Sequence, residues 1–567
     1  MSTDNHSRTE RDIRIALLSM EIGIDHEMPT YGGGLGILAG DILRSCADVG
    51  VPIVAVTLAI NKGSASQKLD DEGNQIELPA DWRIDDFTTL MAPRVSVPVE
   101  DREVKIQAWE YLMTGIGGYQ VPVYFLDTNL FENSASDREI TYYLYGGDER
   151  YRLLQEIVLG IGGVRMLDAL GYTNIRKYHL NEGHSALVAL ELIKKVKEDN
   201  PEYNDEQILE SVRKKCIFTT HTPVQAGHDR FPEQLAKSLL RGFGNAEIDE
   251  ICHEDGLNMT LLALKYSEYI NGVAKKHGEV SRNMFPGYPI DSITNGVHHV
   301  FWTTESFCKL YDKYISGWRK DPFDLRYVIS IPKKEIVQAH AEAKRLLIDL
   351  VNARHGTGMD YDTFTIGFAR RVTGYKRPDL LFSNPDRLVD IVKNTGPIQV
   401  ILAGKAHPKD TGGKELIKNI FVNIKRLKDD IKIVFLENYD MELAKFIIPG
   451  VDVWLNTPKR PLEASGTSGM KACLNGVPSL SILDGWWLEG CIEGVTGWAI
   501  GSVAAEPSDD SKDAEDLYDK LEQVVLPMFY DNKDAWARIM RYAIAFNSSF
   551  FNSHRMVQQY LLNAYFA

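Results

Sequence analysis

Cysteine is scarce in this chain, six in 567 residues. The six are scattered, with no CxxC pair and no metal-ligand spacing. That excludes a disulfide framework and reads as buried, reduced thiols of a cytosolic protein. Long apolar runs are missing too, so no segment spans a bilayer. The opening MSTDNHSRTERD is polar and lacks the apolar core of a secretory signal. Basic residues are outnumbered, 63 lysines and arginines against 79 aspartates and glutamates, for a net charge of -16. This balance argues against nucleic acid or an anionic membrane as the main partner. HExxH and histidines paired at helical spacing are absent. The HED after Cys252 therefore reads as a solvated loop, and no metal is expected. No internal repeat or low-complexity segment is evident.

What remains is a globular composition, 44% hydrophobic and 25% charged, in a chain too long for one core. Apolar runs of strand length alternate with longer helical patterns. Early strands are expected at IRIALLSM, VPIVAVTLAI, VPVYFLD, IRKYHLN, KCIFTTH and DSITNGV. Helical stretches at 149–170 and 184–198 lie among them. A second set follows residue 360: TFTIGFARR, PIQVILAGK, IKIVFLEN, VDVWLN and PSLSIL. A long helix, 333–355, opened by Pro332 and closed around Gly356, separates the sets, and 515–567 reads as helices. The alternation predicts an α/β chain of two doubly wound, Rossmann-like domains facing a central cleft. They span 1–325 and 326–567, with the last helix crossing back to the first. The cleft is the default ligand site.

Three motifs carry chemistry. YGGGLGILAGD, 31–41, has the GxGxxA arrangement of a dinucleotide fingerprint. However, the preceding strand ends about ten residues too early, and the next does not end on an acidic residue. A glycine-rich helix start still suits an anion, and a turn with tight helix packing explains it as well. FARRVTGYKRP, 368–378, puts Arg370, Arg371, Lys376 and Arg377 at a strand's carboxyl end, where arginine forks and a lysine suit phosphate oxygens. A solvated face is the plainer alternative.

The third motif is RPLEASGTSGMKACLNG, 460–476. Gly466 and Gly469 let backbone approach an anion, with Thr467 and Ser468 as donors. Lys471 sits one turn into the following helix, against the dipole; positive partial charge near its amine and flanking apolar residues predict a depressed pKa and Schiff-base chemistry. A phosphate-bearing carbonyl cofactor meets both needs, and pyridoxal phosphate is such a group.

At this point the chain resembles the α-glucan (glycogen, starch and maltodextrin) phosphorylases, in their short bacterial and archaeal form. The resemblance runs from about residue 12 to beyond 500. It rests on GGLGILAGD, LYGGDERYRLLQE, HLNEGHSAL, INGVAKKHGEV, SITNGV, RRVTGYKR, VFLENYDMELA and EASGTSGMKACLNG, in the family's order. It implies the two-domain glycosyltransferase fold of GT-B type. It also implies reversible, retaining transfer of a terminal α-1,4-linked glucosyl unit to inorganic phosphate, giving glucose 1-phosphate.

By the same resemblance Lys471 is the Schiff-base lysine, and Lys471, Arg371, Lys376 and His184 form the catalytic set. Gly466, Thr467, Ser468, Arg370, Tyr439 and Gly34 surround the cofactor, while Arg371 and Lys376 hold the substrate phosphate. Tyr375, Glu463, Ser465 and Gly466 meet the sugar hydroxyls, with Asn271 and His184 on the O6 side and Asp148 on a nearby loop. The cofactor's phosphate, rather than its ring, is implied to exchange a proton with the substrate phosphate.

Some positions depart from the family's long forms. NKGSAS, 61–66, stands where the family usually has aromatic residues. Thr373-Gly374 and Asp440 replace polar and arginine positions and look like short-form traits. The length leaves no room for the regulatory extensions of the animal enzymes, and a homo-oligomer is compatible with the sequence. Two alternatives stand beside the phosphorylase. One is a sugar-nucleotide glycosyltransferase such as a glycogen synthase, which shares the fold without needing Lys471. The other is a glucan-binding paralogue that has lost turnover.

Overall fold

The computed structural model of the chain describes residues 13–566 apart from 81, 245–247, 250, 253–254 and 503–507. The polar opening and the first two residues of the HED loop lie outside the described residues.

The first half contains β1 (Ile15–Ser19), β2 (Ile53–Leu58), the hairpin β3 (Ser66–Leu69) and β4 (Gln75–Leu78), β5 (Thr89–Val99), β6 (Arg102–Thr114) and β7 (Gln120–Asp127). Then come β8 (Lys177–Asn181), β9 (Cys216–Thr219), a short pair β10 (Arg230–Phe231) and β11 (Leu257–Asn258), β12 (Tyr269–Gly272) and β13 (Ile290–Ser292). The second half has β14 (Phe364–Ala369), β15 (Ile398–Ala403), β16 (Lys432–Leu436), β17 (Val453–Asn456), β18 (Ser479–Ile482) and β19 (Gly497–Ile500).

Nine strands form one sheet, in the order β13-β12-β9-β8-β1-β2-β7-β6-β5. It is parallel from β13 to β7 and antiparallel at the β6 and β5 edge. The other sheet is wholly parallel, ordered β16-β15-β14-β17-β18-β19. In each, the winding reverses beside the first strand of its half: between β1 and β8, and between β14 and β17. Ligands of open α/β sheets bind beyond the strand ends at such a reversal. The chain is thus α/β with two Rossmann-like sheets, and every strand expected from the sequence is present. The edge strands β5 and β6, together with β12 and β19, were not expected. In β6 the sequence REVKIQAWEYLMT mixes polar and apolar residues, the mark of a half-exposed antiparallel strand rather than a buried one.

Burial on both faces explains the unbroken apolar runs. Ala16, Leu18, Val54 and Val56 enter one core, while Ile15, Leu17, Ile53 and Ala55 enter another on the opposite face. That second core also takes Met556, Val557 and Tyr560 from the C-terminal helix Ser553–Tyr560. The last helix of the chain therefore covers the first sheet. The connecting helix Lys333–His355 ends as the sequence indicates, with Gly356 left-handed at φ 61° and its N–H on Asn352 O.

The hairpin β3–β4 leaves the first half and docks on the second. Gln67 donates from Nε2 to Gly404 O at 2.9 Å, and its Oε1 accepts the Asn438 N–H at 2.9 Å. Gln75 and Ala406 exchange bonds at 2.9 and 3.0 Å. The NKGSAS stretch leads into this hairpin: Asn61 stays within the first half, donating to Asp127 at 2.8 Å, while the Ala65 carbonyl accepts from Lys405 of the second half at 3.5 Å.

One expectation about cysteine is corrected. All six are free, but Cys308 and Cys491 are half-buried rather than buried, because each lies at the edge of its core.

Candidate active site

Arg370 and Arg371 follow β14, and Glu463 follows β17, so the winding reversal of the second sheet brings them together. Arg370 Nη1 donates to Asn456 Oδ1 at 3.0 Å, and Nη2 donates to Glu463. The other Glu463 oxygen lies 3.7 Å from Lys376 Nζ. All three side chains are about 10% exposed. Burial pushes the Glu463 carboxyl up, but Arg370 and Lys376 outweigh it and hold it below the ordinary carboxylate range. The Lys376 amine is lowered to about 7, by burial first and then by Arg370. Its ammonium lies 5.0 Å from the Tyr375 ring centre, and burial beside Glu463 raises that phenol to about 12.

The four cations of the run divide. Arg371 is exposed and makes no ion pair among the described residues. Arg377 is buried and committed elsewhere: it donates to Thr457 O, Pro458 O, Asp510 and Asp513, each at 2.8 Å. Arg377 is structural. Arg370, Arg371 and Lys376 remain as groups for an anion.

Past Glu463 the chain turns through Ser465, which is buried with no partner for its Oγ. Gly466 is at φ 73°, where a side chain is strained. The helix Ser468–Leu474 then begins, and its Ser468 Oγ accepts the Trp454 indole N–H at 3.0 Å. Lys471 is 7% exposed, with its amine 3.6 Å from the Trp302 ring centre. Its pKa is lowered to about 8 by burial, with Asp41 opposing and Arg44 adding to the effect. The depression expected from the helix start and the apolar flanks is therefore present, and burial is its first cause.

The first half supplies the facing wall. Gly34 opens the helix Gly34–Val49 behind an extended Gly33, and a Cβ added to either would meet nothing within 4 Å. The backbone of these two glycines thus borders open space. Glu21, just past β1, accepts from Gly32 and Gly33 at 2.5 and 3.1 Å and from the Tyr145 hydroxyl at 3.0 Å. The Met441 N–H donates to the Tyr31 hydroxyl at 3.1 Å, which sets the glycine loop against Tyr439 and Asp440. Burial raises the Tyr439 phenol, and the nearby Arg370 charge opposes the rise. Asp440 caps the helix Met441–Gly450 through the Leu443 N–H, at 2.8 Å.

His184 follows β8 in a short turn. Its Nε2 lies 3.4 Å from Asp229 and its Nδ1 has no partner; burial lowers its pKa. Asp229 also pairs with Arg152 at 2.8 Å. Both line a cavity of about 540 Å³ with Glu149, Gln225, His228, Arg230 and Phe231. Asp148 is exposed at the start of helix Glu149–Ile157, where it accepts the Tyr151 N–H at 2.9 Å. Lys409 of the second half donates to the neighbouring Gly147 carbonyl. Asn271 is fully buried instead: its Oδ1 accepts from Thr219 at 2.9 Å and its Nδ2 donates to Tyr560 and Gly272 O, both at 3.0 Å.

Sequence reasoning passed over Asp41, Trp302, Asp229 and His221. Asp41 accepts the Trp302 indole N–H at 2.8 Å, and it closes the quoted GGLGILAGD motif. His221, past β9, donates its N–H to Glu182 at 2.7 Å and meets Asn181 at 2.8 Å. Its position at a strand end is the one signal in the sequence.

The residues around Lys471 fit a phosphate-bearing carbonyl cofactor. There is a buried amine of lowered pKa, a left-handed glycine before a helix start, open space beside Gly33 and Gly34, and an Arg370 Nε buried without a partner among the described residues.

Residues 244–493 match the carbohydrate phosphorylase family. The chain is 41% identical to the maltodextrin phosphorylase of Thermococcus litoralis over 96% of its own length and 70% of that protein. It is 35% identical to the glycogen phosphorylase of Aquifex aeolicus over 99% of itself and 88% of that protein. With the Mycobacterium tuberculosis glycogen phosphorylase the identity is 37%, over 97% and 70%. Similarity of this extent, over a fold with these two strand-end constellations, means that the chain belongs to the carbohydrate phosphorylase family.

Proposed function

We propose that the chain is an α-glucan phosphorylase that moves a terminal α-1,4-linked glucosyl unit onto inorganic phosphate, reversibly and with retention. Its relatives are named maltodextrin and glycogen phosphorylases. The observation that carries the reading is the meeting of Arg370, Lys376 and Glu463 at one winding reversal, with the buried amine of Lys471 on the helix that follows Glu463 in the chain. Residues 1–325 and 326–567 are read as its two domains, and the cytoplasm as its compartment. Among the described residues no helix is long and apolar enough to cross a membrane.

Pyridoxal phosphate is the cofactor on this reading, held by Lys471, Gly466, Thr467, Ser468, Arg370, Tyr439 and Gly34. When bound it supplies a phosphate whose second pKa, near 6, suits proton exchange at neutral pH. The chain's own residues do the rest. Arg371 and Lys376 bind the substrate phosphate, and together with Arg370 they offset the repulsion between two anions brought close. An anion beside Lys376 restores the charge that burial removes. Glu463, Tyr375, Ser465 and Gly466 orient the sugar at the centre where oxocarbenium character develops. His184 and Asp148 stand on the glucan side, beside the cavity. Asn271 acts on the O6 side through the β9 and β12 strand ends.

A sugar-nucleotide transferase of the same fold has no need of a buried lysine at 471. The deciding experiment supplies maltodextrins of graded length and inorganic phosphate to cofactor-loaded protein and measures glucose 1-phosphate. Release of glucose 1-phosphate at the expense of the chain end is expected. Its absence, with turnover of a sugar nucleotide instead, overturns the reading.

A further inference from the structure

Three histidines with no part in that reaction meet where the two halves join. His298, His299 and His554 are 5%, 0% and 3% exposed, and one ring nitrogen of each lies within 4.8 Å of the others. His298 and His299 enter the short helix His299–Trp302, while His554 lies on the C-terminal helix Ser553–Tyr560. The helix Gly34–Val49 closes the third side with Ser45 and Asp48.

The outer nitrogen of each ring is held by the protein. His299 Nε2 donates to Arg319 O at 2.9 Å, His554 Nδ1 meets Ser45 Oγ at 2.9 Å, and His298 Nδ1 accepts the Phe301 N–H at 3.1 Å. The inner nitrogens are poorly served. His299 Nδ1 and His554 Nε2 have no hydrogen-bond partner. His298 Nε2 reaches Asp48 Oδ2 at 2.8 Å, and the same oxygen lies 3.6 Å from His554 Nε2. The other Asp48 oxygen is anchored by the Ile116 N–H at 2.9 Å.

Because His299 donates from Nε2, its Nδ1 is a bare lone pair in the interior. Leaving such an acceptor unpaired is costly. That lone pair, together with the unpartnered His554 Nε2 and a buried carboxylate, makes a space that a cation would satisfy. A ring whose outer N–H is fixed on a carbonyl is also how metal-ligating histidines are oriented. Burial lowers the pKa of all three rings, toward the neutral form that ligates.

We propose that this cluster is a structural site for a divalent transition-metal ion of the zinc class. Its ligands are His298 Nε2, His299 Nδ1 and His554 Nε2, with Asp48 as the charge partner. Imidazole donors suit Zn²⁺, Co²⁺ and Ni²⁺ and disfavour Mg²⁺ and Ca²⁺. His298 joins by moving its proton from Nε2 to Nδ1, which opens its contact with the Phe301 N–H and leaves Nε2 as a donor. The ion would tie the C-terminal helix to the first half and to the segment carrying Trp302. The site is independent of the catalytic reading, so metal content can be tested without turnover.

The test uses full-length protein without an affinity tag, expressed in minimal medium with added Zn²⁺ or Co²⁺, because a buried site loads as the chain folds. Elemental analysis is expected to find about one equivalent per chain, and the Co²⁺ form should show the strong visible bands of a low-coordinate site. His299→Ala and His554→Gln should each lower the content about tenfold or more. His26→Ala, in the exposed Asp25–His26–Glu27 group, should keep it. Wild-type protein empty from both media overturns the proposal, as does metal retained in both cluster variants or lost with His26. Should the variants not fold, zinc-edge X-ray absorption of the wild type decides: imidazole donors support the site and an all-oxygen shell refutes it.

Discussion

The Lys471 amine lies 3.6 Å from the centre of the Trp302 ring, and the Trp302 indole N–H donates to Asp41 at 2.8 Å. The lysine thus projects onto an aromatic face fixed from behind, and burial lowers its pKa to about 8. Below about 8 the amine is protonated in both folded and unfolded chains, and the full cost of burying the charge is felt. As pH rises from about 8 toward 10.5 the folded chain is already neutral, so stability of the cofactor-free protein rises through that window. Reloading of cofactor-free protein with pyridoxal phosphate should accelerate through pH of about 8. An inflection near that of ordinary lysine would contradict the desolvated site. Lys471→Ala should lose both the cofactor absorbance and the activity, and a full cofactor load found on another lysine would move the tether.

Glu463 is the only carboxylate paired with either Arg370 or Lys376 among the described residues. Glu463→Gln leaves two buried cations without their counter-charge, a loss of about 3–5 kcal/mol when a buried pair is broken. Thermal unfolding should shift down accordingly, and added phosphate should restore more stability to the variant than to the wild type. Equal phosphate responses would mean that these cations do not face an anion site.

Arg371 and Arg377 differ in environment despite sharing one motif. Arg371→Ala should leave the fold intact and weaken use of phosphate and glucose 1-phosphate by about 1.5–3 kcal/mol, the worth of one charge-assisted contact. Arg377→Ala should instead destabilise the fold, since it strips two carbonyls of their partner and leaves buried Asp513 with Arg460 alone. Phosphate kinetics and thermal melts on both variants separate the roles; an unchanged phosphate response in Arg371→Ala makes it a solvated residue.

Gln67 joins the halves through Gly404 and Asn438. Gln67→Ala should lower stability by about 1–3 kcal/mol, because it leaves a buried carbonyl unpaired. Hydrogen exchange should report faster opening at 66–78 and 436–440. Unchanged exchange there would show that the hairpin contributes nothing to holding the cleft.

The sequence by itself determined the parallel parts of the two sheets, because strands buried on both faces must read as unbroken apolar runs. It also marked the helix Lys333–His355, whose ends are set by Pro332 and Gly356, and the strand-end clustering of Arg370, Arg371 and Lys376. Family motifs named Lys471 and Glu463. Tertiary structure decided what each charge meets. Two arginines six positions apart look alike in sequence, yet Arg377 is consumed by carbonyls and aspartates while Arg371 is not. The lowered pKa of Lys471 comes first from burial, and the first half of the chain supplies the neighbours around its amine, Asp41, Arg44 and Trp302. The family resemblance puts Asn271 on the O6 side of the sugar, but its amide bonds Tyr560 of the C-terminal helix. The three-histidine cluster depends on the same return of the chain. Local pattern records which side chains face a core, because that repeats along a helix or strand. It carries no record of which remote side chain fills the space beyond, and that neighbour sets burial, charge and hydrogen bonding.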